Sequence, residues 1–287
     1  MSIPKLYLGS TLVSPRAVDM NVTTAPRTSS TDATIPFVSV TPNATAHTKG
    51  AWAQLIASTS QAIDGITLLI ASTTAGSTLA NNILLDIGTG GSGSESVLVA
   101  NAAVPFNTAT TAPTYLFVPV RVASGTRIAV RCQIGRASAA AISVAAMLHA
   151  YPANTITSPT AIDTIGAVTA SSSGVAVSSN NTWFEVTAST SQAYRGVVIC
   201  PTSSDASMAA STASFDLGVG PAASEVEYLG ASALATQSTE YSIQYGSGNY
   251  IAVSGGIPAG SRLAVRVIDA SIATNAGWSV TLLGVPE

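Results

Sequence analysis

Charge is what this sequence has least of. Asp, Glu, Lys and Arg make up 9% of its 287 residues, against roughly 25% in ordinary globular chains. There are two lysines, Lys5 and Lys49, and the net charge is −3. With no basic footprint for a phosphate backbone, nucleic acid is excluded as a partner. Repulsion between copies is also weak, so part of the surface is expected to be covered by other chains. Apolar residues reach 47%, yet no run approaches the ~18 residues of a membrane helix, and no membrane partner is expected. The N-terminus lacks a basic segment leading into a long apolar one, so no signal peptide is read. Phosphate-binding loops, dinucleotide fingerprints and nucleophile elbows are absent. The only histidines, His47 and His149, stand about a hundred residues apart. These absences lead to the expectation of no catalytic residues, no metal, no cofactor and no enzymatic activity.

What is present is a duplication. Trp52–Gly65 and Trp183–Gly196 share 8 of 14 positions at an offset of 131. Asp86-Ile-Gly88 matches Asp216-Leu-Gly218, and Ser94-Glu95 matches Ser224-Glu225, both at offset 130. Tyr115–Arg131 aligns without a gap to Tyr250–Arg266 at offset 135, ending in Gly-Thr/Ser-Arg-Ile/Leu-Ala-Val-Arg. The two cysteines do not correspond: Cys132 aligns with Val267 and Cys200 with Leu69. Each therefore reads as a buried, reduced, small hydrophobe and not as half of a disulfide.

The hydrophobic period within each copy is 2. Ile128, Val130 and Cys132 share one parity and Arg127, Ala129 and Arg131 the other, as do Leu263, Val265 and Val267 against Arg262, Ala264 and Arg266. That is the alternation of half-buried strands. About eight short strands per copy, separated by Gly/Ser/Asn/Thr turns, predict an all-β chain of two tandem antiparallel β-sandwiches, jelly-roll-like, with an extended N-terminal arm. The expected division is an arm at 1–32, repeat 1 at 33–151, a proline-bounded linker at 152–159 and repeat 2 at 160–287. The arm is Pro/Thr/Ser-rich and is expected to dock on a neighbour through Ile3, Leu6, Tyr7 and Leu8.

Three constellations are doubled. Arg127, Arg131, Arg262 and Arg266 lie on the outward parity of one strand in each copy. Asp86, Glu95, Asp216 and Glu225 recur with them, and pairing across the sandwich surface or at a subunit contact is expected. A calcium loop needs about six or more oxygen ligands, and one Asp with one Glu nine residues on falls short. Trp52 and Trp183 open equivalent strands and are expected to anchor the two cores, an aromatic sugar platform being the less favoured reading.

The pattern Trp-x-x-Leu/Val-x-Ala-Ser-Thr-Ser, followed 70–75 residues later by the Gly-x-Arg-x-Ala-Val-Arg block, resembles virion structural proteins of tailed bacteriophages. The resemblance covers about 33–287. It implies a non-enzymatic particle component made in the host cytoplasm and assembled symmetrically with copies of itself and other virion proteins. A neck, tail or fibre-attachment protein is favoured over a capsid decoration protein. The alternative is a module that binds host-surface carbohydrate or a receptor.

Overall fold

A computed structural model describes residues 16–20, 37–72, 83–104, 114–135, 141–150, 158–167, 174–203, 211–228, 233–236, 250–269 and 278–287. Every regular element among them is a strand. The first repeat holds β1 (Arg16–Met20), β2 (Val38–Val40), β3 (Ala53–Ile56), β4 (Gly65–Ser72), β5 (Ile83–Thr89), β6 (Ser96–Val104), β7 (Thr114–Val118), β8 (Ile128–Ile134) and β9 (Ile142–Ala150). The second holds β10 (Asp163–Ile165), β11 (Val175–Val177), β12 (Trp183–Thr187), β13 (Tyr194–Ser203), β14 (Ser211–Val219), β15 (Val226–Tyr228), β16 (Ala233–Thr236), β17 (Tyr250–Ile257), β18 (Leu263–Asp269) and β19 (Trp278–Pro286).

These strands form two tandem antiparallel β-sandwiches. In the first, sheet 1a runs β1-β9-β4-β7 with β2 also on β9, and faces sheet 1b, β3-β8-β5-β6. In the second, sheet 2a runs β10-β19-β13-β17 with β11 on β19, and faces sheet 2b, β12-β18-β14-β15 with β16 on β14. The period of 2 is realised as expected: Ile128, Val130 and Cys132 enter the first core, and Leu263, Val265 and Val267 the second. Both cysteines are buried and free.

The two sandwiches share a layer. β13 sends Val197 and Ile199 into the second core but Val198 and Cys200 into the first. β19 divides likewise, with Trp278, Val280 and Leu282 on one side and Leu283 and Val285 on the other. The central strands β13 and β19 of sheet 2a are therefore buried on both faces, which explains why residues 197–200 and 282–283 are apolar on both parities, while β17 still alternates. Burying such side chains contributes on the order of 1.5–3 kcal/mol each. Around this joint the Ala103 N–H donates to Thr281 Oγ1 (2.9 Å), Asn101 Nδ2 to Ala167 O (3.0 Å) and the Thr164 hydroxyl to Ala100 O.

Two sequence expectations change at the ends of the repeats. Within the segment read as an arm, β1 pairs antiparallel with β9 of its own chain, with Asp19 opposite Leu148. β10 occupies the same place in the second repeat, with Asp163 opposite Gly284 of β19. The sequence agrees: Thr11-Leu-Val-Ser-Pro-Arg-Ala-Val-Asp19 matches Thr155-Ile-Thr-Ser-Pro-Thr-Ala-Ile-Asp163 at offset 144. The match escapes the main alignment because the stretch that follows is thirteen residues longer in the first copy. The linker is corrected with the arm, since its last two residues belong to this motif. Ser158 is buried and donates to Asp64 O (2.6 Å), while Pro159 O accepts from the Arg121 N–H (2.7 Å). The candidate arm contacts Ile3, Leu6, Tyr7 and Leu8 lie outside the described residues.

Candidate functional site

The doubled arginines and acids meet on the outer faces of sheets 1b and 2b. Because β8 and β18 alternate, Arg131 and Arg266 leave the core opposite Asp86 of β5 and Asp216 of β14. Arg131 Nε donates to Asp86 Oδ2 at 2.9 Å, and Arg266 Nη2 donates to Asp216 Oδ2 at 2.7 Å. Arg127 Nη1 reaches Glu95 Oε1 and Arg262 Nη1 reaches Glu225 Oε1, both at 2.8 Å. The same nitrogens donate to the turn carbonyls of Gly90 and Gly220. Burial alone would raise the Glu95 carboxyl, but its own backbone N–H, Arg127 and the Gly93 N–H together hold it below the usual range. For Glu225 its own backbone N–H does most to lower it, with Arg262 adding to the effect.

The tryptophans belong to these clusters and not to the cores. The guanidinium carbons of Arg131 and Arg266 sit 4.5 Å from the ring centroids of Trp52 and Trp183, both half-buried, in cation–π contact. Each ring rests where a glycine leaves room: a Cβ on Gly88 would fall 2.6 Å from Trp52, and one on Gly218 would fall 2.9 Å from Trp183. The expectation of two core anchors is thus corrected. The buried tryptophan is Trp278, set edge-on to Phe215 with centroids 5.3 Å apart.

The clusters differ in charge. In the first, Lys49 Nζ adds a second cation on Asp86 (2.7 Å), and the bulged Asn101 donates its N–H to the same oxygen (2.8 Å). In the second, Arg266 carries an added carboxylate, Glu227, at 2.7 Å. Arg262 likewise meets Glu185, where Arg127 has the neutral Gln54. Both are ion-pair braces joining β5, β8 and the turn after β5, or β14, β18 and the turn after β14. Among the described residues no group of three His, Cys, Asp or Glu could hold a metal ion.

The shared layer defines a second surface. The face of sheet 2a that meets the first repeat carries Val198, Cys200, Thr281, Leu283 and Val285. By alignment and strand register, its counterpart on sheet 1a carries Thr67, Leu69, Ala145, Met147 and His149, flanked by Tyr115 and Phe117 of β7. Tyr115 is 48% exposed, while Phe117, Met147 and His149 are half-buried. His149 Nε2 lies 2.7 Å from Thr67 Oγ1, its ring is edge-on to Phe117, and burial lowers its pKa.

A cleft of about 510 Å³ opens in the second repeat alongside Asp163, Ile165, Val175, Val186, Ser191 and Tyr194. Asp163 Oδ2 accepts from Gln192 Nε2 (2.6 Å), Tyr194 Oη (2.8 Å) and Ser191 Oγ (3.4 Å). Burial pushes the Tyr194 phenol up to about 12, helped by Asp163 and opposed by Ser191. Sequence reasoning passed over this group, although Tyr194 replaces Ile63 directly after the shared Ser-Gln-Ala and was visible there.

No family model and no curated protein matches the chain. Solved structures do. Peptide-N(4)-(N-acetyl-β-D-glucosaminyl)asparagine amidase is 9% identical, with a TM-score of 0.38 over 88% of this chain and 96% of that one. PNGase F, a glycosylasparaginase from Flavobacterium meningosepticum, gives 10% and 0.37 over the same shares. The CBM22-1–CBM22-2 tandem domain of Paenibacillus barcinonensis Xyn10C gives 10% and 0.26 over 96% of this chain and 92% of that one. The expectation that the chain is not an enzyme does not stand beside these amidase structures and is withdrawn. A likeness of this degree assigns no reaction, ligand or partner to the chain.

Proposed function

We propose that this chain is a structural component of a tailed-phage virion, of the neck, tail or fibre-attachment type, that assembles with copies of itself. The observation that carries the reading is the pair of equivalent faces. Inside the chain, sheet 2a lays its outer face on β6 at the margin of sheet 1b. Sheet 1a carries the equivalent face, on which Leu69 and Ala145 are buried and Tyr115, Phe117 and Met147 are only partly covered. In the second repeat β15 and β16 together hold the place of β6, pairing with β14 as β6 pairs with β5, and Val226 on β15 is 59% exposed. A second copy placing its sheet 1a on this β15–β16 margin would repeat the internal contact head to tail. Such heterologous contacts close into rings or run on as filaments. The charge-poor composition and the phage-like repeat pattern support the same reading.

Light scattering over a concentration series tests the assembly. The chain should form oligomers that Met147→Lys abolishes without loss of fold; a monomer at every concentration would overturn the head-to-tail contact. Antibodies raised against the chain should label the neck or tail of particles from the host culture in negative stain. Labelling confined to the capsid shell would move the component to decoration, and unlabelled particles would remove the virion reading.

A further inference from the structure

We infer that the cleft beside Asp163 and Tyr194 of the second repeat binds a neutral sugar, a role independent of the assembly reading. The first support is how Asp163 is held. Two neutral donors, Gln192 Nε2 and Tyr194 Oη, converge on Oδ2, with the Ser191 hydroxyl 3.0 Å from Tyr194 Oη behind them, and among the described residues no donor meets Oδ1. A carboxylate fixed by one oxygen and free at the other is set to accept ligand hydroxyls. Charge-assisted bonds of that kind are the stronger ones. The exposed Ser191 and the neighbouring Ser189 and Thr187 supply further polar atoms, Gln192 holds Asp163 from the side, and Ile165, Val175 and Val186 give the cleft an apolar wall. A few fixed polar groups against an apolar wall is the usual make-up of a small-molecule site, and it matches the hydroxyl edge and C–H face of a pyranose. The cleft has one carboxylate and no cationic lining residue, which disfavours an anionic ligand.

The second support is what the duplication changed here. Asp163 has a counterpart by register in Asp19, but Tyr194 stands where the first repeat has the buried Ile63. Gly284 stands where the first repeat has Leu148. A Cβ on Gly284 would fall 2.7 Å from the Tyr194 ring, so the tyrosine fits only because its neighbour lost a side chain. The exchange keeps the core filled and adds one hydroxyl, aimed at Asp163. Gly166 has φ +89°, and a Cβ there would meet Val186 at 2.8 Å; glycine is the residue that takes this conformation without strain.

Saturation-transfer NMR on the full chain with glucose, galactose, mannose and N-acetylglucosamine, each at millimolar concentration, tests the inference, with lysine as an amine control. At least one sugar should bind, and titration should show that binding weakened about tenfold by Asp163→Asn, which removes a charge-assisted acceptor at constant shape. Gln192→Ala, an exposed change that leaves the core intact, should weaken it several-fold. Binding of none of the four sugars, binding of lysine alone, or sugar binding unchanged in both variants would overturn it.

Discussion

Leu283→Ala tests the shared layer directly. Leu283 is fully buried, yet it points away from its own repeat and into the core of the other. If the two sandwiches were independent, this position would be surface and its truncation nearly silent. Set as it is, the change costs about 2–5 kcal/mol for lost transfer and cavity, a large share of the roughly 5–15 kcal/mol that holds a protein folded. With a urea dependence of about 3 kcal/mol per M, the midpoint should fall by about 1 M. Met147→Ala removes the equivalent side chain from sheet 1a, where it is half-buried, and should cost about half as much in the dilute monomer. Urea unfolding followed by fluorescence suits the measurement, because Trp52 reports on the first repeat and Trp183 and Trp278 on the second. One transition is expected for the parent chain. Equal losses from the two truncations, or two well-separated transitions in the parent, would refute a core shared across the repeats.

Further outcomes follow from the braces and the buried groups. Arg266→Ala leaves Asp216 buried without its cation and should cost about 3–5 kcal/mol. Arg131→Ala leaves Lys49 and the Asn101 N–H on Asp86 and should cost less than half of that; equal urea midpoints for the two variants would contradict the assignment. Burial pushes the Cys132 thiol up to about 12 and raises the pKa of Cys200 too, so a thiol reagent at pH 8 should label neither in the native chain and both in denaturant. His149 has a lowered folded pKa from burial. Between that value and the unfolded one near 6.5 the unfolded chain binds more protons, so stability falls as pH drops below about 6.5. His149→Gln should flatten that part of the denaturation profile, and an unchanged slope would refute the role of His149.

The sandwiches were legible because strands covered on one face announce themselves by alternation, and the doubling of Arg127/Arg262 and Glu95/Glu225 flagged the braces. Trp52 and Trp183 were misread on hydrophobicity alone. Parity was the better guide: Trp183 falls in step with Glu185, while Phe184 and Val186 pack against the core. The glycines opposite, Gly88 and Gly218, were the remaining trace of rings lying flat on the outside. Sheet 2a could not be read as a shared layer from its own strands, because a run apolar on both parities does not say what covers the second side. The cleft around Tyr194 escaped because the duplication drew attention to positions the copies share, and the residue that draws Asp163, Ser191 and Gln192 into one group, Tyr194, is where they differ.

The layer common to both sandwiches also has a kinetic meaning. Within one chain the two repeats meet at the effective concentration set by a short tether, on the order of millimolar, so the internal contact forms whenever the chain folds. The equivalent contact proposed for sheet 1a would have no tether and would recruit its partner from solution. One surface chemistry, used twice, would then be permanent at one end of the molecule and dependent on copy number at the other, so growth of an assembly would begin only once enough chains had accumulated.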